Sequence, residues 1–412
     1  MWIATRALVV VDVSHLQDVN NYEAWSHYLT AHGAMPSGGS WQYPPGAAFL
    51  MLVPRLGPGS YGDSFIGLML LFDLAGLGLL VLLGRRCGSY KGVWVWLLGM
   101  PLLGTFAVLR FDLVPTTIAI AALVVIHRRP QWFGALAGLG AAIKVWPVVL
   151  LFGEWDRRRL LHAGLAALGA IVLVFLVSAL AFGDPASFLG GQSGRGLQEE
   201  AVATLPWQAK AVVTGDLPRR AIRYGAWQLS GDGPDAVATA LEWLSLAVLV
   251  AAAAWWWLRA RAIRAGRGHL GEASVSRDFV FAIVLLLVVT SRVLSPQYMV
   301  WLLGLSAIVL TARTTRLIRP AWLVLASMVL TTILFRSPAA ILIRDLLLLA
   351  AAIDASTAMV TLLRARDLHP PSGARAGSPP PPGSVLPGQA GALRSSGRAR
   401  RGLAFLHGDD ER

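Results

Sequence analysis

The stretch Ile66-Gly67-Leu68-Met69-Leu70-Leu71-Phe72-Asp73-Leu74-Ala75-Gly76-Leu77-Gly78-Leu79-Leu80-Val81-Leu82-Leu83-Gly84, closed by Arg85-Arg86, decides the fold class. Only Asp73 interrupts its apolar character. A helix needs about 20 such residues to cross a hydrocarbon core of about 30 Å, and the run at 62–84 meets that length. Working outward, further runs lie at 92–109, 111–127, 160–182, 236–258, 278–291, 298–312, 320–335 and 338–363. Several are short and require kinks or a protein lining, since lipid offers no partner to a bare peptide group. The expected fold class is all-α, a polytopic integral membrane bundle of about ten helices.

Composition agrees. Of the 412 residues, 55% are apolar and 14% charged, and the mean hydropathy is +0.59. A soluble chain carries about 25% charged residues, which excludes an ordinary cytosolic enzyme. Collagen-like, disulfide-rich and wholly disordered classes are excluded as well. Cys87 is the only cysteine, so neither an internal disulfide nor a cysteine-built metal site is expected. Apart from Lys91, Lys144 and Lys210, every basic residue is arginine. With the Ala and Gly content this suggests a high-GC bacterial genome, hence a bacterial plasma membrane.

The net charge of +13 acquires meaning once the charges are placed. Loops carrying Arg85, Arg86 and Lys91, then Arg128 and Arg129, then Arg157 to Arg159 alternate along the chain with apolar runs. Arg259, Arg261, Arg264, Arg267 and Arg277 fill another loop, Arg313, Arg316 and Arg319 the next, and the tail from Arg364 adds more. These make 24 basic residues on one side, against nine (Arg55, Arg110, Arg195, Lys210, Arg219, Arg220, Arg223, Arg292 and Arg336) on the other. The positive-inside rule puts the larger set, and the C-terminus, in the cytoplasm. Trp255, Trp256 and Trp257 before Arg259 read as an inner interfacial belt. The excess charge thus reports orientation among membrane lipids, and no nucleic-acid partner is expected.

Residues 1–13 read as a truncated first membrane helix, since 13 residues at ~1.5 Å each fall short of a ~30 Å core; a start upstream of Met1 is expected. Residues 14–61 form a first outer loop, and 62–182 membrane helices. Within these, 131–153 is apolar yet flanked by Arg on both sides and broken by Lys144 and Pro147, which predicts a re-entrant hairpin. A second outer loop at 183–235 and further helices at 236–363 follow. The tail 364–412, with Pro379 to Pro382, reads as cytoplasmic disorder.

The first outer loop holds Asp18-Val19-Asn20-Asn21-Tyr22-Glu23-Ala24-Trp25 and closes with Trp41-Gln42-Tyr43-Pro44-Pro45. If a helix starts near Asp18, positions 18, 22 and 25 share a face. A carboxylate beside aromatic rings suits a sugar; Asp18 is equally a good N-cap, and spacing alone favours the cap. His15, His27 and His32 lack the i,i+4 spacing of a helical ligand pair, so no metal is expected.

These segments, with Arg110-Phe111-Asp112-Leu113-Val114-Pro115, Lys144-Val145-Trp146-Pro147, Gly196-Leu197-Gln198-Glu199-Glu200 and Ser291-Arg292-Val293-Leu294-Ser295-Pro296-Gln297-Tyr298, resemble in order and spacing the actinobacterial membrane mannosyltransferases of glycosyltransferase family 87, within the GT-C superfamily. The resemblance runs from about residue 6 to 312. It implies an inverting transferase that takes sugar, usually mannose, from a polyprenyl-phosphate donor and passes it to a glycolipid or glycan on the outer face. It carries the role of general base to Asp18 and leaves mannose or arabinose, and the acceptor, open. No cofactor is implied. Glu200-Ala201 departs from the expected Glu-Ser, and the short first helix departs too.

The chemistry asks for cations at the departing phosphate. Arg292 is the first candidate and Arg110 the second, the alternative for Arg292 being an interfacial arginine reaching outward. Tyr22, Trp25, Tyr43, Asp112, Gln297 and Glu200 are candidate substrate contacts. Arg110 and Asp112 do not share a helix face, and a structural role in their turn is an equal alternative. Lys144 falls towards the inner leaflet in this topology, where structural pairing is the expected role. A competing class is a transporter or lipid flippase using intramembrane Asp73 and Arg344, since buried ionisable groups mark such paths. The bland alternative is that these two pair with each other.

Overall fold

The computed structural model describes residues 1–10, 17–36, 41–190, 195–223, 225–265, 273–333 and 337–364. His15, Arg267, Arg336 and the expected disordered tail beyond Arg364 lie outside the described residues.

The described chain is helical almost throughout. In order come α1 (Trp2–Val10), α2 (Gln17–His32), α3 (Gly46–Leu52), α4 (Tyr61–Cys87), α5 (Lys91–Leu102), α6 (Leu113–Val125), α7 (Pro130–Ile143), α8 (Arg157–Phe182), α9 (Leu205–Thr214), α10 (Asp232–Arg264), α11 (Ala273–Val289), α12 (Tyr298–Thr311), α13 (Ile318–Ile333) and α14 (Pro338–Arg364). Four of them, α4, α8, α10 and α14, are long and apolar enough to cross a membrane. Their ends are coded locally. Ser60 caps α4 by accepting from the Asp63 amide at 3.1 Å, and Gly88 closes it at φ +65°, a left-handed conformation that costs glycine little. Asp156 caps α8 through the Arg159 amide at 2.9 Å.

Long and short helices divide the work. α8 and α10 turn Leu165, Leu173, Leu180, Trp243 and Val250 outward, as lipid-facing surfaces do. By contrast α6 and α12 are apolar and buried nearly all round, the mark of helices sheathed by others. Protein, not lipid, surrounds them, so lengths of 13 and 14 residues suffice. The single run expected over 92–109 is divided: α5, with Pro101 in its last turn, stops at Leu102, and a 3-10 turn occupies Gly104–Ala107.

Residues 130–153 form two packed legs. α7 is followed by an extended residue, Lys144 (φ −150°, ψ 129°), and then by a 3-10 segment, Trp146–Gly153. α7 lies so close to α8 that a Cβ on Gly134 would overlap the Ala163 carbonyl, and one on Gly138 the Ala167 carbonyl. This is the small-residue contact by which membrane helices approach without a hydrophobic drive. Gly138→Leu is therefore expected to destabilise the fold by about 2–3 kcal/mol, measurable as a lowered melting temperature in detergent. An unchanged melt would mean that the α7–α8 contact yields freely.

The N-terminal segment is anchored by an ion pair. Arg6 of α1 donates Nε and Nη2 to the two Asp73 oxygens at 2.6 and 2.8 Å, and Trp96 Nε1 donates to Asp73 at 2.7 Å. The expected Asp73–Arg344 pairing is thereby corrected. Asp73 is taken by α1, whereas Arg344 pairs with its neighbour Asp345 at 2.7 Å. A second departure lies in 183–235, where short strands β1 (Leu197–Gln198), β2 (Arg220–Arg223) and β3 (Ala226–Leu229) form an antiparallel sheet in the order β1-β3-β2. Leu197 and Arg220 both face Leu229 in register. Strands of two to four residues are too short to show a readable alternation.

Candidate active site

α2 begins at Gln17, so Asp18 sits inside its first turn, where the helix dipole favours an anion. Its carboxylate meets not the helix end but Arg110, through Oδ2 and Nη2. The face anticipated from positions 18, 22 and 25 is real. Tyr22 packs on Trp25, Phe65 and Phe111 at centroid distances of 6.0, 5.4 and 5.5 Å. Trp25 meets Trp41 and Tyr43 edge-on at 5.6 and 6.0 Å, and Tyr43 meets Phe111 at 4.8 Å. The two ends of the segment 14–61 thus contribute to one aromatic wall beside Asp18.

Arg110 and Asp112 occupy the turn before α6 and, two residues apart, reach different partners. Asp112 accepts from Lys144 Nζ at 2.6 Å and from Trp301 Nε1 at 2.7 Å, both on Oδ1. The ammonium of Lys144 lies 5.2–5.5 Å from the ring centres of Tyr43, Phe111, Tyr298 and Trp301. Tyr298 and Trp301 stack at 4.1 Å from adjacent turns of α12. The expected structural pairing of Lys144 is present. The break after α7 carries it to Asp112 and to Tyr43.

Exposure separates the two carboxylates. The Asp112 side chain is 2% exposed, that of Asp18 35%. Burial raises the Asp18 pKa above the ordinary aspartate value; Arg110 opposes the rise and Asp112 adds to it. The Tyr22 hydroxyl is likewise pushed well up by burial and stays protonated.

The remaining candidates lie with the segment 183–235 or in contact with its neighbours. Arg292 pairs with Glu242 of α10, and its carbonyl accepts from the Gln198 amide at 2.9 Å. It lines a cavity of about 220 Å³ with Arg195, Arg223, Gln228 and Thr239. The Glu200 carboxylate lies 3.4 Å from Gln198 Nε2, and its carbonyl accepts from Arg344 at 2.5 Å. Gln297 is buried just before α12. Sequence reading missed Arg195, which bonds Gln42 of the first loop while lining the Arg292 cavity. It also missed Tyr298 and Trp301 as walls of the lysine box. Their i,i+3 spacing in α12 was the available signal, but in an apolar helix it looks like packing. His27 is engaged on the surface by Arg55 at 2.9 Å.

The helical chain thus gathers two carboxylates, two cations and an aromatic wall at one loop–helix junction. Residues 41–276 match the model of Glycosyltransferase family 87, and the chain belongs to that family. It is a membrane glycosyltransferase. The matched segment contains Tyr43, Arg110, Asp112, Lys144 and Arg195, whereas Asp18 and Arg292 lie outside it. No curated protein sequence matches the chain. The crystal structure of ArnT from Cupriavidus metallidurans in the apo state is similar, with 14% identity, a TM-score of 0.42, and coverage of 85% of this chain and 71% of that one.

Proposed function

We propose that the protein is an inverting transferase that moves a mannosyl residue from a polyprenyl-phosphate donor to a glycolipid or glycan acceptor at the outer face of a bacterial plasma membrane. The observation that carries this is the half-exposed Asp18 carboxylate, held by Arg110 beside the Tyr22, Trp25 and Tyr43 wall, in a member of this family. With Oδ2 engaged by Arg110, Oδ1 takes the proton of an acceptor hydroxyl. The acceptor oxygen bonds to the sugar C1 as the bond from C1 to the phosphate oxygen breaks, and the polyprenyl phosphate leaves with the electron pair. Arg110 and Arg292 are the proposed cations for the departing charge, and a guanidinium fork fits two phosphate oxygens. Single displacement needs no second carboxylate nucleophile. The buried Asp112 supports this assignment, because Lys144 and Trp301 already occupy it.

The basic asymmetry of the loops supports an outer position for the Asp18 cluster and a cytoplasmic C-terminus. Purified protein incubated with labelled polyprenyl-phosphate mannose and a lipid extract is expected to yield a labelled glycolipid. No incorporation, with donor intact and protein folded, would overturn the proposal. The transporter alternative loses its main support, since Asp73 is saturated by Arg6 and Trp96.

A further inference from the structure

We propose that Lys144 is a positioning residue for the reaction: through its ion pair with Asp112 it fixes the turn that carries Arg110 and balances the charge around Asp18. This rests on Asp18 being the base. Lys144 stands at the one extended residue between α7 and the 3-10 segment, so its ammonium projects from a break in the backbone. That ammonium is 2.6 Å from Asp112, and four aromatic rings surround it. A buried cation is costly unless paired, and the aromatic faces add cation–π attraction. Lys144 and Trp301 together hold one oxygen of Asp112, and so the backbone two residues from Arg110. Arg110 in turn holds Asp18.

Asp18 faces charged and titratable groups from two elements. Arg110 and Asp112 come from the turn before α6 and act on it with opposite sign, and Tyr22 comes from α2 itself. Lys144, from the break after α7, meets Asp112 and so enters the balance through it. Two carboxylates therefore share two cations. Remove the Lys144 charge, and Asp112 and Asp18 compete for Arg110 alone; a second anion nearby makes Asp18 easier to protonate. Remove the Asp112 charge instead, and the surplus Lys144 cation makes Asp18 harder to protonate. Remove both, and the balance returns.

The full-length protein in lipid nanodiscs, assayed with labelled polyprenyl-phosphate mannose and a lipid-extract acceptor, tests this through the acid limb of kcat/KM against pH. Lys144→Met is expected to move the limb up by about one pH unit, and Asp112→Asn to move it down. The double variant Lys144→Met/Asp112→Asn is expected to return it to the wild-type position, although kcat stays below wild type. Single variants that leave the limb unmoved, or a double variant displaced as far as Lys144→Met, would overturn the proposal. If Lys144→Met does not fold, the double variant compared with Asp112→Asn decides: a limb that moves back up supports the proposal, and one that stays where Asp112→Asn puts it overturns it. The underlying base assignment fails separately, by retained transfer in Asp18→Asn. A limb that ignores Lys144 and Asp112 in an Asp18-dependent enzyme removes only the positioning role.

Discussion

Asp18→Asn is expected to reduce sugar transfer by about 10²- to 10⁴-fold, the usual contribution of a positioned general base. The change conserves volume, leaves a polar partner for Arg110, and falls on a side chain that is 35% exposed. The protein should therefore stay folded in membranes, and the loss should appear in kcat with little change in KM. In the wild type the base works only when unprotonated. Because burial raises its pKa, transfer should fall with decreasing pH through a midpoint above the ordinary aspartate range. Labelled-donor assays on wild type and variant, with a melting curve for each, check both points. Transfer close to wild type in Asp18→Asn would remove Asp18 from the mechanism. Asp112 does not offer an equivalent target, because its oxygen already meets Lys144 and Trp301.

The second large effect concerns the fold rather than the chemistry. Asp73→Leu is expected to cost about 3–5 kcal/mol, the usual penalty for stranding one partner of a buried pair. Arg6 and Asp73 are 3% and 0% exposed, and Arg6 also donates to the Leu97 carbonyl at 3.0 Å. Once the carboxylate is gone, Arg6 keeps a charge with nothing to balance it, and α1 should detach from α4 and α5. Adding Arg6→Met should recover much of the loss, since an apolar pair of similar volume avoids the desolvation cost. Unfolding measured in detergent for the single and double variants tests this. A stable Asp73→Leu protein that had lost lipid flipping in vesicles would instead favour the transport alternative.

Much of the architecture was legible from residue order. Runs such as 62–84 and 160–182 became α4 and α8 almost end to end, because length and apolarity suffice to form a helix whose outer face meets lipid. The break at Lys144 was legible too, from a charge and a proline inside an apolar run. The small sheet at 197–229 was not, since strands this short are held by register with one another rather than by their own pattern. Within the site, the Asp18, Tyr22 and Trp25 face followed from helical spacing. The partner of Lys144 was not legible, because flanking arginines show where the ends of a segment lie and not which side chain its middle meets.

By itself, then, the sequence determined a membrane-spanning helical protein, its likeness to one glycosyltransferase family and a first loop rich in sugar-compatible residues. Hydrophobicity and period act locally, so they survive in the order of residues. Only the tertiary structure decided which charges meet. Arg6 finds Asp73 rather than Arg344, Asp18 finds Arg110, and Lys144 finds Asp112. Each charge inside the bundle needs a partner, and helix packing, not spacing along the chain, determines which one lies within reach.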